Sequence, residues 1–83
     1  MNVTVKLYAG FRQFLPPDAR IHGLQIEVHE HATPGEVLEN LNVPKDEVHL
    51  VLLNGVFIES SKRNQPILKN NDILSVWPAV AGG

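Results

Sequence analysis

The sequence predicts an α+β fold in which one main helix packs on one face of a mixed sheet of about five strands. Three observations carry this prediction. Several short segments alternate apolar and polar residues with the period of two that a half-buried strand requires. One segment, TPGEVLENL, instead places its apolar residues at helical spacing. The pair Asn54-Gly55 joins two apolar runs and favours a hairpin, because a type I′ turn needs positive φ at both central residues.

The N-terminal part of the chain contains two predicted strands. Valine and leucine occupy every second position in residues 3–7, and leucine, isoleucine and valine do so in residues 24–28. The connection between these strands includes Pro16 and Pro17, which cannot continue a strand ladder because they lack a backbone N–H. We therefore expect two short strands separated by an irregular segment.

The predicted helix has a clear start and a clear end. Thr33 can accept a hydrogen bond from the third helical amide while Glu36 reaches back, and Pro34 falls at the first helical position. Asn42 and Pro44 end the helix. Its apolar face consists of Val37, Leu38 and Leu41.

Three further strands are predicted after the helix. The apolar run HLVLL (49–53) is typical of a strand buried inside a sheet, residues 56–58 return as a short strand, and residues 72–77 form the last one before Pro78 stops it. The order strand, strand, helix, strand, short strand, strand is that of the β-grasp, the ubiquitin-like architecture. A right-handed crossover through the helix would place the second hairpin beside the first strand. Residues 1–83 would form a single domain.

The composition argues against several classes of function. With no cysteine, the chain has neither a disulfide nor a thiolate metal site. Its net charge is −2 and its basic residues are scattered, so we expect no nucleic-acid binding, and no apolar run is long enough to span a membrane. Without a signal peptide we expect a cytoplasmic protein. We expect the four histidines to face solvent, since His29 and His31 lack further ligands at a sensible spacing for a metal.

We expect residues 79–83, none of which is large and which end in Gly82 and Gly83, to form an extended, flexible tail. Fully extended, five residues reach roughly 17 Å, and glycine lets a backbone enter a narrow tunnel in another protein. The reactive group of such a tail is its terminal carboxylate, which must first be activated, for example as a mixed anhydride with AMP. The activated carbonyl could then accept sulfur or an amine.

Side-chain alternation predicts a partner surface where this tail leaves the sheet. Tyr8, Phe57 and Trp77 fall at outward positions, whereas Val56 and Ile58 fall at inward ones. Clustered exposed aromatic residues often mark an interface. We therefore expect the three aromatic residues to lie on the helix-free face and to contact a partner.

Nearly the whole chain resembles the molybdopterin synthase small subunit, a member of the ubiquitin-like sulfur-carrier families. KLYAGFRQFL resembles that family's first strand and the short helical segment after it, TPGEVLENL its capped helix, and LLNGVFIE its hairpin. NDILSVWPAVAGG resembles its closing strand and tail. Two positions depart from the family pattern: Ala79 replaces the second residue of a Pro-Pro pair, and Asn71 replaces the glycine of Gly-Asp.

The resemblance implies a sulfur carrier that is not itself an enzyme and binds no cofactor. A ubiquitin-activating-like adenylyltransferase/sulfurtransferase would use ATP to adenylate Gly83, which then becomes a thiocarboxylate, while Gly82 permits passage of the tail. The carrier would dock on a molybdopterin synthase large subunit, giving a heterotetramer, and donate sulfur to molybdopterin. The implied interface consists of Tyr8, Phe57, Trp77, Pro78, Ala79, Val80 and Ala81.

The sequence is also compatible with other functions. The sulfur acceptor could belong to the tungsten-cofactor, cysteine, thiamine or tRNA-thiolation pathways. The protein could instead be a modifier that attaches to lysines through Gly83, or a binding module with an incidental tail. The segment 9–15 argues against the thiamine carriers, which generally run more directly from the first strand to the second.

Overall fold

The computed structural model describes residues 1–79 and contains a five-stranded sheet with an α-helix on one face. The strands are β1 (Asn2–Leu7), β2 (Leu24–Glu27), β3 (Val48–Leu53), β4 (Val56–Phe57) and β5 (Asp72–Pro78), and the helix is α1 (Pro34–Asn40). Short 3₁₀ helices cover Ala9–Phe14, Pro17–Ala19, Lys45–Glu47 and Ser60–Asn64. The predicted α+β class and order of elements are confirmed.

The sheet is mixed, with its strands in the order β2-β1-β5-β3-β4. β1 is antiparallel to β2 and parallel to β5, and β3 is antiparallel to both β5 and β4. The expectation that the second hairpin would lie beside the first strand is wrong, because β5 lies between them. The connection through α1 carries the chain from β2 past β1 and one further strand position to β3, and β5 fills that further position.

The core lies between α1 and the inner face of the sheet. Every second residue of β1 and β5 points into it, and Val3, Val5, Leu74 and Val76 are completely buried. The helix contributes Val37 and Leu38, and the segment after β1 closes one side with Phe11 and Leu15. The alternation read from the sequence therefore assigns the inner face of these two strands correctly.

The start of α1 has the predicted cap. The Thr33 hydroxyl accepts a hydrogen bond from the Glu36 amide at 3.1 Å, and Pro34 is the first helical residue. The Glu36 carboxylate also lies 2.9 Å from His29 Nε2, and His29 Nδ1 accepts from the His31 amide. The hydrogen bond from His29 lowers the pKa of Glu36 below its ordinary value of 4.5. The associated stabilisation is present above that value and is lost as the pH falls through the folded-state pKa.

The turn between β3 and β4 is fastened to the first residues of β5. Asn54 and Gly55 have φ of 52° and 83°, the positive values that a type I′ turn requires. Asn54 Nδ2 donates to Asp72 Oδ1 at 2.8 Å, and the Lys69 amide donates to Asp72 Oδ2 at 2.8 Å. The Asn54 side-chain oxygen accepts from the Ile73 amide at 2.8 Å. These bonds fix the hairpin and the start of β5 relative to each other.

Candidate partner-docking site

An aromatic pair dominates the helix-free face of the sheet. Tyr8 immediately follows β1 and Trp77 lies in β5, and the parallel register that pairs Leu7 with Val76 brings the two rings side by side. The rings stack with their centroids 4.2 Å apart and their planes 4° from parallel. The Tyr8 amide donates to the Val76 carbonyl at 3.1 Å, which extends the strand pairing up to the aromatic residues. The predicted outward orientation of Trp77 and Tyr8 is confirmed.

The apolar surface continues from this pair across β3 to β4. Leu50 is in register with Trp77, and Leu52 is in register with Phe57, so these side chains adjoin across neighbouring strands. Phe57 is 58% exposed, as its predicted outward orientation requires. We call Tyr8, Leu50, Leu52, Phe57 and Trp77 together the docking surface.

Leu50 and Leu52 are the members of this surface that the sequence did not predict. The apolar run 49–53 indicates a strand buried on both faces, but only Val51 is fully buried and the two leucines are partly exposed. The reason is that α1 covers only one face of the sheet. Val51 points towards that face and is buried, whereas Leu50 and Leu52 point to the other face. Leu52 could have been identified from the sequence, because the Asn54-Gly55 hairpin places it opposite Phe57, which is predicted to point outward.

The predicted inward position of Val56 agrees with the strand register, but the side chain is not buried there. Val56 pairs with Leu53 on the inner side, yet it is 67% exposed. β4 is a two-residue edge strand at the end of the sheet. Within residues 1–79, β3 is the only strand that pairs with β4. Ile58, by contrast, is buried as predicted.

The chain leaves the sheet close to this surface. Pro78 pairs with Val48 and is the last residue of β5, so the expectation that it stops the strand is correct to within one residue. The Ala79 amide donates to the Glu47 carbonyl at 3.3 Å. The predictions for Val80, Ala81, Gly82 and Gly83 fall outside the described residues. Trp77 is part of the docking surface and is only three residues before residue 80 in the chain.

The docking surface carries no ionisable group other than the Tyr8 phenol, and a largely uncharged apolar centre is typical of protein interfaces. The four histidines are exposed, as expected, and lie outside this surface. Within residues 1–79, no group of three or more histidines and carboxylates is arranged to hold a metal ion. Over the same residues, no helix has the length and apolar character needed to cross a membrane.

Comparison with known proteins identifies relatives along nearly the whole chain. The family model described as Mut7-C ubiquitin matches residues 1–81. The structure is similar to the HVO 2177 protein of Haloferax volcanii, solved in solution, with 28% identity, a TM-score of 0.75, and coverage of 100% of this chain and 87% of that one. No curated protein sequence matches the chain.

Two further solved structures bear the name of molybdopterin converting factor. A putative subunit 1 from Pyrococcus furiosus is 26% identical, with a TM-score of 0.64 and coverage of 95% of this chain and 98% of that one. A complex of subunits 1 and 2 from Helicobacter pylori includes a chain that is 22% identical, with a TM-score of 0.60 and full coverage of both chains. The latter likeness shows the shared β-grasp fold.

Proposed function

The chain belongs to the Mut7-C ubiquitin family, and from this membership we propose that it is a sulfur carrier that works through the carboxylate of Gly83. An ATP-dependent activating enzyme would join this carboxylate to AMP with release of pyrophosphate. The terminal sulfur of a persulfide on that enzyme system would then displace AMP and form an acyl disulfide. A second thiol would cleave this acyl disulfide, leaving a thiocarboxylate on Gly83 and a disulfide on the enzyme system. This chain supplies the carbonyl and the surface that the partners bind, and the partners supply the catalytic groups.

The observation that carries this proposal is the docking surface beside the end of β5. Trp77 and Tyr8 stack on the helix-free face, and Ala79 is the next residue but one after Trp77. A protein that binds this surface holds β5 and would therefore set where residues 80–83 are delivered. Aromatic residues at the centre of an interface provide much of the binding energy in protein complexes.

Molybdopterin synthesis is the leading candidate for the sulfur-consuming step. It is supported by the likeness to a putative molybdopterin converting factor subunit 1 at 26% identity over nearly both chains. By analogy with the complex of subunits 1 and 2, the proposed partner is a large subunit that receives the tail in its active site. Localisation in the cytoplasm is part of the same proposal.

A different acceptor is the second candidate. The matching family is a ubiquitin-like one named for Mut7-C rather than for molybdopterin synthesis, which favours a sulfur acceptor in another pathway or attachment to a protein lysine. Both alternatives use the same activated carbonyl, and they differ in the nucleophile that finally attacks it. Products therefore distinguish them better than the carrier's own structure does.

Mass spectrometry of the native protein tests the chemistry. Peptide mapping first establishes whether Gly83 is the native C-terminal residue. After incubation with the cognate activating enzyme, ATP and a sulfur donor, we expect a mass increase equal to the replacement of one oxygen by sulfur. Deletion of Gly83 should abolish that increase without changing thermal unfolding, because Val76 is the last buried core residue within residues 1–79. An unmodified carboxylate under these conditions would contradict the proposal, and adducts with other proteins would favour the modifier.

Partner binding tests the docking surface separately. Phe57→Glu should weaken binding to the large subunit more than tenfold, because charge placed in a buried interface loses its hydration. The matched control is Ile21→Glu, since Ile21 is also a highly exposed apolar residue but lies outside the docking surface. Equal affinity for the two variants would show that the partner binds elsewhere. Trp77→Glu should have a similar effect on binding, with circular dichroism to verify its fold.

A further inference from the structure

The outer edge of β2 is open to hydrogen bonding. β2 is the terminal strand on one side of the sheet, and β1 is the strand that it pairs with. Met1 and Val28 exchange two hydrogen bonds of 2.7 and 2.8 Å. Because such pairs alternate along an antiparallel ladder, Ile26 is also bonded to β1, whereas Gln25 and Glu27 direct their N–H and C=O groups outward.

These outward groups have no protein partner within residues 1–79. The backbone and side-chain hydrogen bonds found there include none to the amides or carbonyls of Gln25 and Glu27. Within residues 1–79, β1 is the only strand that pairs with β2. The opposite edge of the sheet is the two-residue strand β4. β2 is therefore the longer of the two open edges and the better template for an added strand.

We propose that β2 pairs antiparallel with β2 of a second copy of this chain, about a two-fold axis at Ile26. In this register Gln25 lies opposite Glu27 of the second copy, and Ile26 lies opposite its own equivalent. Each Gln25–Glu27 pair exchanges two backbone hydrogen bonds, so four bonds form in total. Every outward backbone group of residues 25 and 27 is then satisfied in both copies.

The side chains select this register and this occupant. Gln25 and Glu27 are exposed on one face of β2, and the glutamine amide can donate to the carboxylate of the second copy, twice by symmetry. A register centred on Glu27 would instead oppose two carboxylates, which is unfavourable. On the other face Ile26 is only partly buried, so contact between the two isoleucines extends the core across the junction. The strand is thus complementary to itself.

The dimer leaves the docking surface free. Pairing across β2 makes one continuous ten-stranded sheet, with both helices on one face and both docking surfaces on the other. The docking surface lies mainly on β5, β3 and β4, away from the joined edge. One dimer could therefore present two docking surfaces to partners at the same time. This inference does not depend on the chemistry proposed for Gly83.

Sedimentation measurements test the pairing. Because a four-residue strand contact is small, we expect association only at about 0.1–1 mM protein. The wild-type mass should rise from 9.2 kDa towards twice that value, whereas Gln25→Pro should remain monomeric. Proline at residue 25 removes an N–H that the fold itself does not use, and proline is tolerated on an edge strand for that reason. Gln25→Thr is the matched control, which keeps the N–H and should still associate.

A charge exchange tests the register. Gln25→Glu places two glutamates opposite each other in both pairs and should weaken the dimer several-fold. The double variant Gln25→Glu/Glu27→Gln restores a complementary pair and should recover wild-type association. Amide signals of residues 25 and 27 should shift on dilution of the wild type. The proposal is overturned by a wild-type monomer at about 1 mM, by a Gln25→Pro variant that associates normally, or by dilution shifts centred on Trp77.

Discussion

The two faces of the sheet are made by the same strands and differ in what covers them. On the inner face Val5, Leu74 and Val76 are completely buried beneath α1. On the outer face their immediate neighbours in sequence include Trp77, which is only partly buried against Tyr8. Both faces are apolar near the end of β5, so hydrophobicity alone does not tell them apart. The position of the helix does, and it separates residues that stabilise the fold from residues available to a partner.

The largest expected effect on stability comes from the inner face. Leu74→Ala should lower the free energy of unfolding by about 2–5 kcal/mol, because it removes buried methyl groups and leaves a cavity in the central strand. Such a loss is a large fraction of the stability of a small domain. Urea unfolding followed by circular dichroism measures it. A loss below about 1 kcal/mol would mean that the core collapses around the smaller side chain.

The sequence predicts the inner face better than the outer one, for a physical reason. Alternation identifies Val3, Val5 and Leu74 correctly, because one side of a strand must be buried for the sheet to be stable. Alternation does not identify the inner face in the run 49–53, because the sequence alone does not distinguish a leucine on the outer face from a leucine in the core. Only the single helix layer, seen in three dimensions, shows that Leu50 and Leu52 remain partly exposed.

The strand order illustrates a second limit of sequence reasoning. Local signals such as the Thr33 cap and the Asn54-Gly55 turn concern residues that are neighbours in the chain, and the structure confirms both. The insertion of β5 between β1 and β3 depends on pairings across more than twenty residues. No short motif encodes those pairings. The aromatic stack of Tyr8 and Trp77 is a product of that long-range register and could not be read from either segment alone.

The second largest effect is expected at the start of β5, where the Asp72 side chain is buried. Asp72→Ala removes the acceptor of the Asn54 side-chain amide and of the Lys69 amide, and should lower the free energy of unfolding by about 1.5–3 kcal/mol. Asp72→Asn keeps one acceptor oxygen and should lose less. Chemical unfolding of both variants, with hydrogen exchange at Lys69, measures the difference. If both variants were as stable as the wild type, the hydrogen bonds of the carboxylate would contribute little.

A smaller effect is expected at the start of the helix that covers the inner face. Thr33→Ala removes the side-chain acceptor of the Glu36 amide and should lower the free energy of unfolding by about 1 kcal/mol. Thr33→Ser retains a hydroxyl and serves as the control, with a stability close to that of the wild type. Thermal unfolding of the three proteins side by side distinguishes them. If serine and alanine are equally destabilising, packing of the threonine methyl group is responsible and the cap is not.

The smallest effect on stability is expected on the outer face, where the comparison with Leu74 is most direct. Phe57→Ser should change the free energy of unfolding by only about 0.5 kcal/mol, because the side chain is already 58% exposed and leaves little space unfilled when shortened. The same urea titration used for Leu74→Ala measures it. A destabilisation comparable to that of Leu74→Ala would mean that Phe57 supports β3 through Leu52 and that its exposed area is not a free surface. If the variant is stable but binds the partner more weakly, the exposed apolar residues of this face function in partner binding.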